Sequence, residues 1–244
     1  LTTSISGISL IGAGSGVSGT IITSGATTLT KHATQVTRLS AIRFTASTAQ
    51  VVIAGTYTNA MAIVDHTYHD LGQDQSKFDI NTTGVLIHHV EFVGVVHTPP
   101  VDIGNINFGD GEPSISIWAA NPTLGNLDTD GTSNIYFEDN TFTNLMEVAW
   151  DCDNGAPVSF RFNTFTDSGV VGHGGRNDNG QDTSIHGCRF LEFVGNTFDR
   201  VTNAAPINHW VHYRGHGGVF VLNTLEGNES PDGSTWTSGG DIRT

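Results

Sequence analysis

The sequence predicts an all-β chain wound as a parallel β-helix, with coils of about 22–24 residues and loops that leave them. The first observation is a phrase that returns four times: Asn140-Thr141-Phe142, Asn163-Thr164-Phe165, Asn196-Thr197-Phe198 and Asn223-Thr224-Leu225. Its steps are 163−140 = 23, 196−163 = 33 and 223−196 = 27. The second observation is that each copy follows a short apolar-polar run: Ile135-Tyr136-Phe137, Val158-Ser159-Phe160, Phe190-Leu191-Glu192-Phe193 and Val219-Phe220-Val221. The third is a glycine eight or nine residues before each asparagine, at Gly131, Gly155, Gly187 and Gly215. Glycine there allows the positive-φ corner that turns one face of a coil into the next.

The elements follow in order. Gly7–Gly14 alternates as a strand broken by glycines, and Gly19–Thr23 supplies the next. Leu39–Phe44 and Gln50–Gly55 keep period two, and Val85–Phe92 reads as one further rung. Phe44 and Phe92 stand 92−44 = 48 apart and Phe92 and Phe142 stand 142−92 = 50 apart, each read as two coils. The inward residues must fill a narrow tube, so Phe, Ile and Val recur in phase. Asparagine repeated at one corner can bond the asparagine of the next coil and satisfy buried main-chain groups. Residues 56–84 and 97–128 are rich in Asp, His, Pro and Asn and read as loops, where binding sites tend to lie. The coil from 164 to 196 carries about ten surplus residues, Gly172 to Asp182.

Composition narrows the function classes. The 244 residues are expected to form one solenoid domain, 1–244, a segment or processed form of a longer chain. Charged residues are 14% and glycines number 30, which suits stacked coils and turns rather than disorder. The net charge of −14 argues against nucleic acid, whose binding needs Lys and Arg to release counterions. It suits calcium, neutral sugars or simple solubility. No apolar run reaches the roughly 18 residues of a membrane span. Cys152 and Cys188 are too few for a disulfide framework; one bridge or two buried thiols both remain open.

Three short phrases give a sharper comparison. Asp128-Thr129-Asp130-Gly131 is followed by Asp151-Cys152-Asp153 and then by Gly172-His173-Gly174. With the coil pattern, these resemble the right-handed parallel β-helix group of pectin lyases, polygalacturonases and phage tailspikes. Polygalacturonase-type hydrolases carry Asn-Thr-Asp-Gly, an Asp-Asp pair, Gly-His-Gly and Arg-x-Lys. The resemblance implies Asp130, Asp151 and Asp153 as acid and base, with His173 beside them. Here Asp128 stands in place of the asparagine and Cys152 splits the pair. Arg214 is the nearest substitute for the missing Arg-x-Lys. The steps 151−130 = 21 and 173−151 = 22 are about one coil, so the three side chains can form one column on parallel strands about 4.8 Å apart. Glycoside hydrolysis needs a protonated carboxyl beside a second carboxylate, and crowding of carboxylates raises one pKa.

Other residues invite a ligand. His66 and His69 with Asp65 and Asp70 form a loop candidate for zinc or copper, against ordinary loop polarity. His88 and His89, adjacent in one strand, are expected on opposite faces and so unable to share a metal. Asp128, Asp178 and Asp182 sit in phrases like fragments of calcium loops, or in plain Asx turns. Trp150 and Trp210 share a phase, 163−150 = 223−210, and suit either sugar stacking or an interior stack, with His212 and Arg214 near the second.

Two functions are therefore expected from different classes. One is an extracellular β-helix that binds a polysaccharide or cell-surface glycan, with hydrolase or lyase action at the carboxylates. The other is a non-catalytic structural or receptor-binding module of a virion fibre or surface appendage, for which a homotrimer is expected. Any groove is expected on the face carrying 128–131, 151–155, 172–182 and 209–216, walled by the excursions 97–128 and 172–182.

Overall fold

The computed structural model describes residues 3–45, 49–55, 61–70, 78–82, 84–94, 106–108, 134–144, 151–152, 157–168, 170–171, 190–199, 201, 211–212, 218–226 and 242–243. Among them there is no helix, and every strand pairing is parallel. The chain visits three sheets in rotation. The first contains Thr3–Ser6, Gly25–Thr30, Ala49–Ala54, Phe78–Asn81, Ile106–Phe108 and Asp151–Cys152. The second contains Ser9–Ile11, Thr37–Ser40, Ala62–Asp65, Val85–His88, Ile135–Glu138, Pro157–Arg161, Phe190–Val194 and Gly218–Val221. The third contains Thr20–Ile22, Ile42–Thr45, Tyr68–Asp70, Glu91–Val93, Thr141–Thr143, Thr164–Thr166, Thr197–Asp199 and Thr224–Glu226. A small fourth sheet, Val170–Val171, Val211–His212 and Ile242–Arg243, takes the place of the first in the later coils. This is the parallel β-helix that the repeat predicts.

The core is a set of columns running across the rungs. Phe137, Phe160 and Phe193 stack inside the second sheet, with ring centroids 4.9 and 5.1 Å apart. Phe142, Phe165 and Phe198 stack inside the third at 4.6 Å per step. These spacings sit close to the about 4.8 Å between paired strands, so identical residues in register meet face to face at no conformational cost. Asparagine provides the polar counterpart at the corner between the second and third sheets. Asn163 Nδ2 donates to Phe137 O at 2.9 Å and to Asn196 Oδ1 at 2.9 Å, and the pattern repeats from Asn140 to Asn223.

Just before each asparagine the chain turns through a left-handed residue: Asp139 (φ 54), Phe162 (58), Gly195 (65) and Leu222 (56). In earlier coils Ala41, His66 and His89 occupy the same place. The ladder offsets this conformation, which costs a non-glycine residue roughly 1–2 kcal/mol. Gly7 and Gly84, at φ 63 and 67, make the corner from the first sheet into the second. The glycines expected to do this, Gly131, Gly155, Gly187 and Gly215, lie outside the described residues.

Several expectations change. Residues 56–84 are not a loop: Ala62–Asp65, Tyr68–Asp70 and Phe78–Asn81 make a complete coil. Its core position is taken by His69, stacked between Phe44 at 4.7 Å and Phe92 at 5.3 Å, so the aromatic period looked broken. The step from Phe92 to Phe142 is one rung rather than two, because those residues pair directly. The stretch 97–128 is not one excursion, since Ile106–Phe108 returns to the first sheet. Val85–Phe92 is two strands, Val85–His88 and Glu91–Val93, divided by the left-handed His89.

Candidate functional site

The best-defined cluster of polar side chains lies on the outside of the second sheet, where it turns into the third. Strand alternation sends Arg38, Asp65, His88, Glu138 and Arg161 outward from neighbouring rungs. Arg38 grips Asp65 at two points: Nε donates to Oδ1 at 3.1 Å and an Nη donates to Oδ2. Asp65 is fully enclosed. Burial alone would raise its carboxyl, but hydrogen bonds from Arg38 and Ser40 and the charge of Arg38 outweigh that and hold it below the usual carboxylate range.

His88 continues the line. Its Nε2 lies 3.8 Å from Asp65 Oδ2, and its Nδ1 lies 2.8 Å from Nδ1 of His89. Partial burial pushes the His88 imidazolium down; Asp65 opposes that shift, while His89, His66 and Arg38 reinforce it. The ring of His66 packs against His89 at 5.1 Å and meets the edge of His88 at 6.2 Å. His88 and His89 therefore do not face opposite ways: the left-handed corner at His89 ends the alternation and brings the two rings together. The loop set of His66, His69, Asp65 and Asp70 is overturned as well. His69 is buried in the aromatic column, its Nε2 2.9 Å from Thr67 Oγ1, and burial pushes its pKa down to about 3. Sequence carried one unused signal: Asp65-His66 and His88-His89 are separated by 88−65 = 23, one coil step.

Farther along the same face, Arg161 Nε and Nη2 both donate to Glu192 Oε2, at 2.9 and 2.7 Å. Glu138 Oε1 lies 3.5 Å from Arg161, and Tyr136 underlies the guanidinium at 4.7 Å. The outer face of the third sheet is quieter, with Thr141, Thr143, Thr164, Thr166, Thr197 and Thr224 in register.

Of the residues expected to carry chemistry, Asp151 lies in the first sheet, its backbone paired with Asn107. His212 lies in the fourth, paired with Val171 and Arg243. Asp128, Asp130, Trp150, Asp153, His173, Asp178, Asp182, Trp210 and Arg214 lie outside the described residues, as does Cys188. Chain connections nevertheless locate the Asp151 rung. Consecutive strands of the second sheet, Ile135–Glu138, Pro157–Arg161 and Phe190–Val194, are entered by segments of very different length. These are 135−108−1 = 26, 157−152−1 = 4 and 190−171−1 = 18 residues. The short one follows Asp151-Cys152, and the two long ones enter the rungs on either side. Here too the first sheet ends at Asp151–Cys152 and the fourth begins at Val170–Val171.

Fold and surface define a parallel β-helix protein with one outward ionic and histidine-bearing face. No family model, no curated protein and no solved structure matches the chain. Among the described residues, no helix is long and apolar enough to cross a membrane.

Proposed function

We propose that this chain is an extracellular or virion-surface β-helix that binds a polysaccharide or cell-surface glycan beside the rung of Asp151. One observation carries the reading: the four-residue link after Asp151-Cys152 is flanked, on the adjacent rungs, by links of 26 and 18 residues. The surface of a solenoid is otherwise flat or convex and encloses little of a ligand, whereas specific sites are concave. Two long segments on either side of a short one would supply the walls. Asp130, Asp151 and Asp153 would be the acid and base of a polygalacturonase-type hydrolysis there, with His173 and Arg214 holding the sugar. Trp150, Trp210 and His212 would line the approach, and calcium at Asp128, Asp178 and Asp182 would brace the walls.

The test is release of reducing ends from a panel of polysaccharides, with glycan binding measured in parallel. Asp151→Asn should abolish release while leaving binding detectable. Binding without release in the unaltered protein would assign a non-catalytic glycan receptor. Neither binding nor release would overturn the reading.

A second reading, a structural module of a fibre or appendage, is favoured by the Asn ladder from Asn140 to Asn223 and the aromatic columns beside it. In such a stack each rung pairs with its neighbours, the arrangement a stiff rod would use. A trimeric mass in solution with no glycan affinity would favour it.

A further inference from the structure

We propose that the corner formed by His66, His88 and His89 is a binding site for a divalent transition-metal ion of the copper(II) or nickel(II) type, with His88 and His89 as the chelating pair. The inference does not depend on the glycan reading and concerns a different face of the helix.

The distance between the two nitrogens is the first argument. His88 Nδ1 and His89 Nδ1 stand 2.8 Å apart. Two ligands at about 2.0–2.1 Å from one ion and at right angles to each other are separated by about 2.9 Å, against about 3.4 Å for tetrahedral ligands. The observed bite fits the tetragonal geometry that copper(II) and nickel(II) prefer. Asp65 supports the pair from behind. It sits 3.8 Å from His88 Nε2 and is clamped by Arg38. A carboxylate on that side favours the tautomer with the His88 proton on Nε2, which leaves the Nδ1 lone pair for a ligand bond, as outer carboxylates do behind metal-bound histidines.

His66 supplies the third imidazole. Its ring centroid lies 5.1 Å from that of His89 and 6.2 Å from that of His88, while His88 and His89 are 5.1 Å apart. Three imidazoles on one ion have centroids separated by about 4.4 Å when adjacent and about 6.3 Å when opposite. His66 and His88 thus match an opposite pair at 6.2 Å, while the two adjacent pairs, at 5.1 Å, stand wider than a bound set and must draw in. Among the described residues no three such groups already converge on one centre. His66 is exposed and must turn about its side-chain torsions to join, with water completing the sphere. The protons balance: the Nδ1 proton that His89 shares with His88 moves through solvent to His89 Nε2.

The experiment uses the full chain without an affinity tag, titrated with copper(II) and nickel(II) chlorides by calorimetry and, for copper, by electron paramagnetic resonance. One ion per chain is expected to bind at least tenfold more tightly than any others, with hyperfine structure from two or three nitrogens. His88→Gln and His89→Asn should each weaken that ion at least tenfold. His32→Gln, remote from the corner, should not. His89→Gly, which suits the left-handed backbone, serves if His89→Asn does not fold. Unchanged affinity in these variants, or weak binding spread equally over the chain's histidines, would overturn the proposal and leave a hydrogen-bonded histidine pair only.

Discussion

Asn163 stands directly over Asn140, its Oδ1 accepting both the main-chain N–H of Asn140 at 2.9 Å and its Nδ2 at 3.0 Å. The same side chain donates from Nδ2 to Phe137 O and to Asn196 Oδ1. One amide therefore joins three coils at a corner shut off from water. Asn163→Ala strands several buried partners at once and should cost about 3–5 kcal/mol of stability. Asn223→Ala, at a half-exposed rung, should cost less than half as much. Urea unfolding of the two variants compares them, and equal losses would show that the ladder is not what secures the corner.

His69 makes the protein acid-sensitive. Its pKa in the fold is about 3, against about 6.5 when the chain is unfolded. Between those values only the unfolded chain takes up the proton, so stability is full above pH 6.5 and falls as the pH drops, by about 1.4 kcal/mol per unit. His69→Phe completes the stack with Phe44 and Phe92 and should remove this contribution to the slope. At neutral pH it should cost at most about 1 kcal/mol, because Thr67 loses its hydrogen-bond partner. Denaturant midpoints at pH 7.5, 6 and 5 check this; parallel pH curves for both proteins would refute it.

Phe162 lies across Gly195. A Cβ at Gly195 would stand 2.8 Å from the Phe162 ring, on a backbone at φ 65. Gly195→Ala should therefore lose about 1–3 kcal/mol, part from the left-handed backbone and part from displacing the ring. In a Phe162→Ala background the same change should cost less, since the second part is gone. Thermal melts of the double-mutant cycle measure the difference, and strict additivity would contradict the contact.

Removing Arg38 leaves Asp65 enclosed without its counter-charge. Arg38→Met should destabilise by about 3 kcal/mol at neutral pH, while Arg38→Met with Asp65→Asn should recover much of the loss. The pair's contribution is present above the unfolded carboxylate pKa and fades as the pH falls through the lowered value in the fold. The Arg38→Met penalty should accordingly shrink in acid, and a constant penalty down to pH 3 would argue against it.

The β-helix was legible because its later coils reuse one residue for one job. Asparagine at the corner and phenylalanine behind it recur wherever a coil must bond and pack against an identical coil, so the phrase discloses both period and register. The coil around His69 stayed hidden because a histidine fills an aromatic place. The rung step from Phe92 to Phe142 is not legible in the spacing because closure entropy grows only slowly with loop length, so a long excursion leaves pairing untouched and inflates the count. Of the expected catalytic site, sequence supplied residue types and an approximate coil spacing, and the structure added the lengths of the links on either side of Asp151.

The histidine corner belongs to tertiary structure alone. Two-residue alternation sends His88 and His89 to opposite faces, and only the left-handed turn at His89 reverses this. That turn exists because the corner of one coil must copy the corners of its neighbours. Sequence by itself determined the class of fold and, in the later coils, the period and the core columns, since those follow from which residues repeat. Which outward side chains meet was decided by the stacking of coils, because pairing across rungs joins residues that the chain separates by a whole turn.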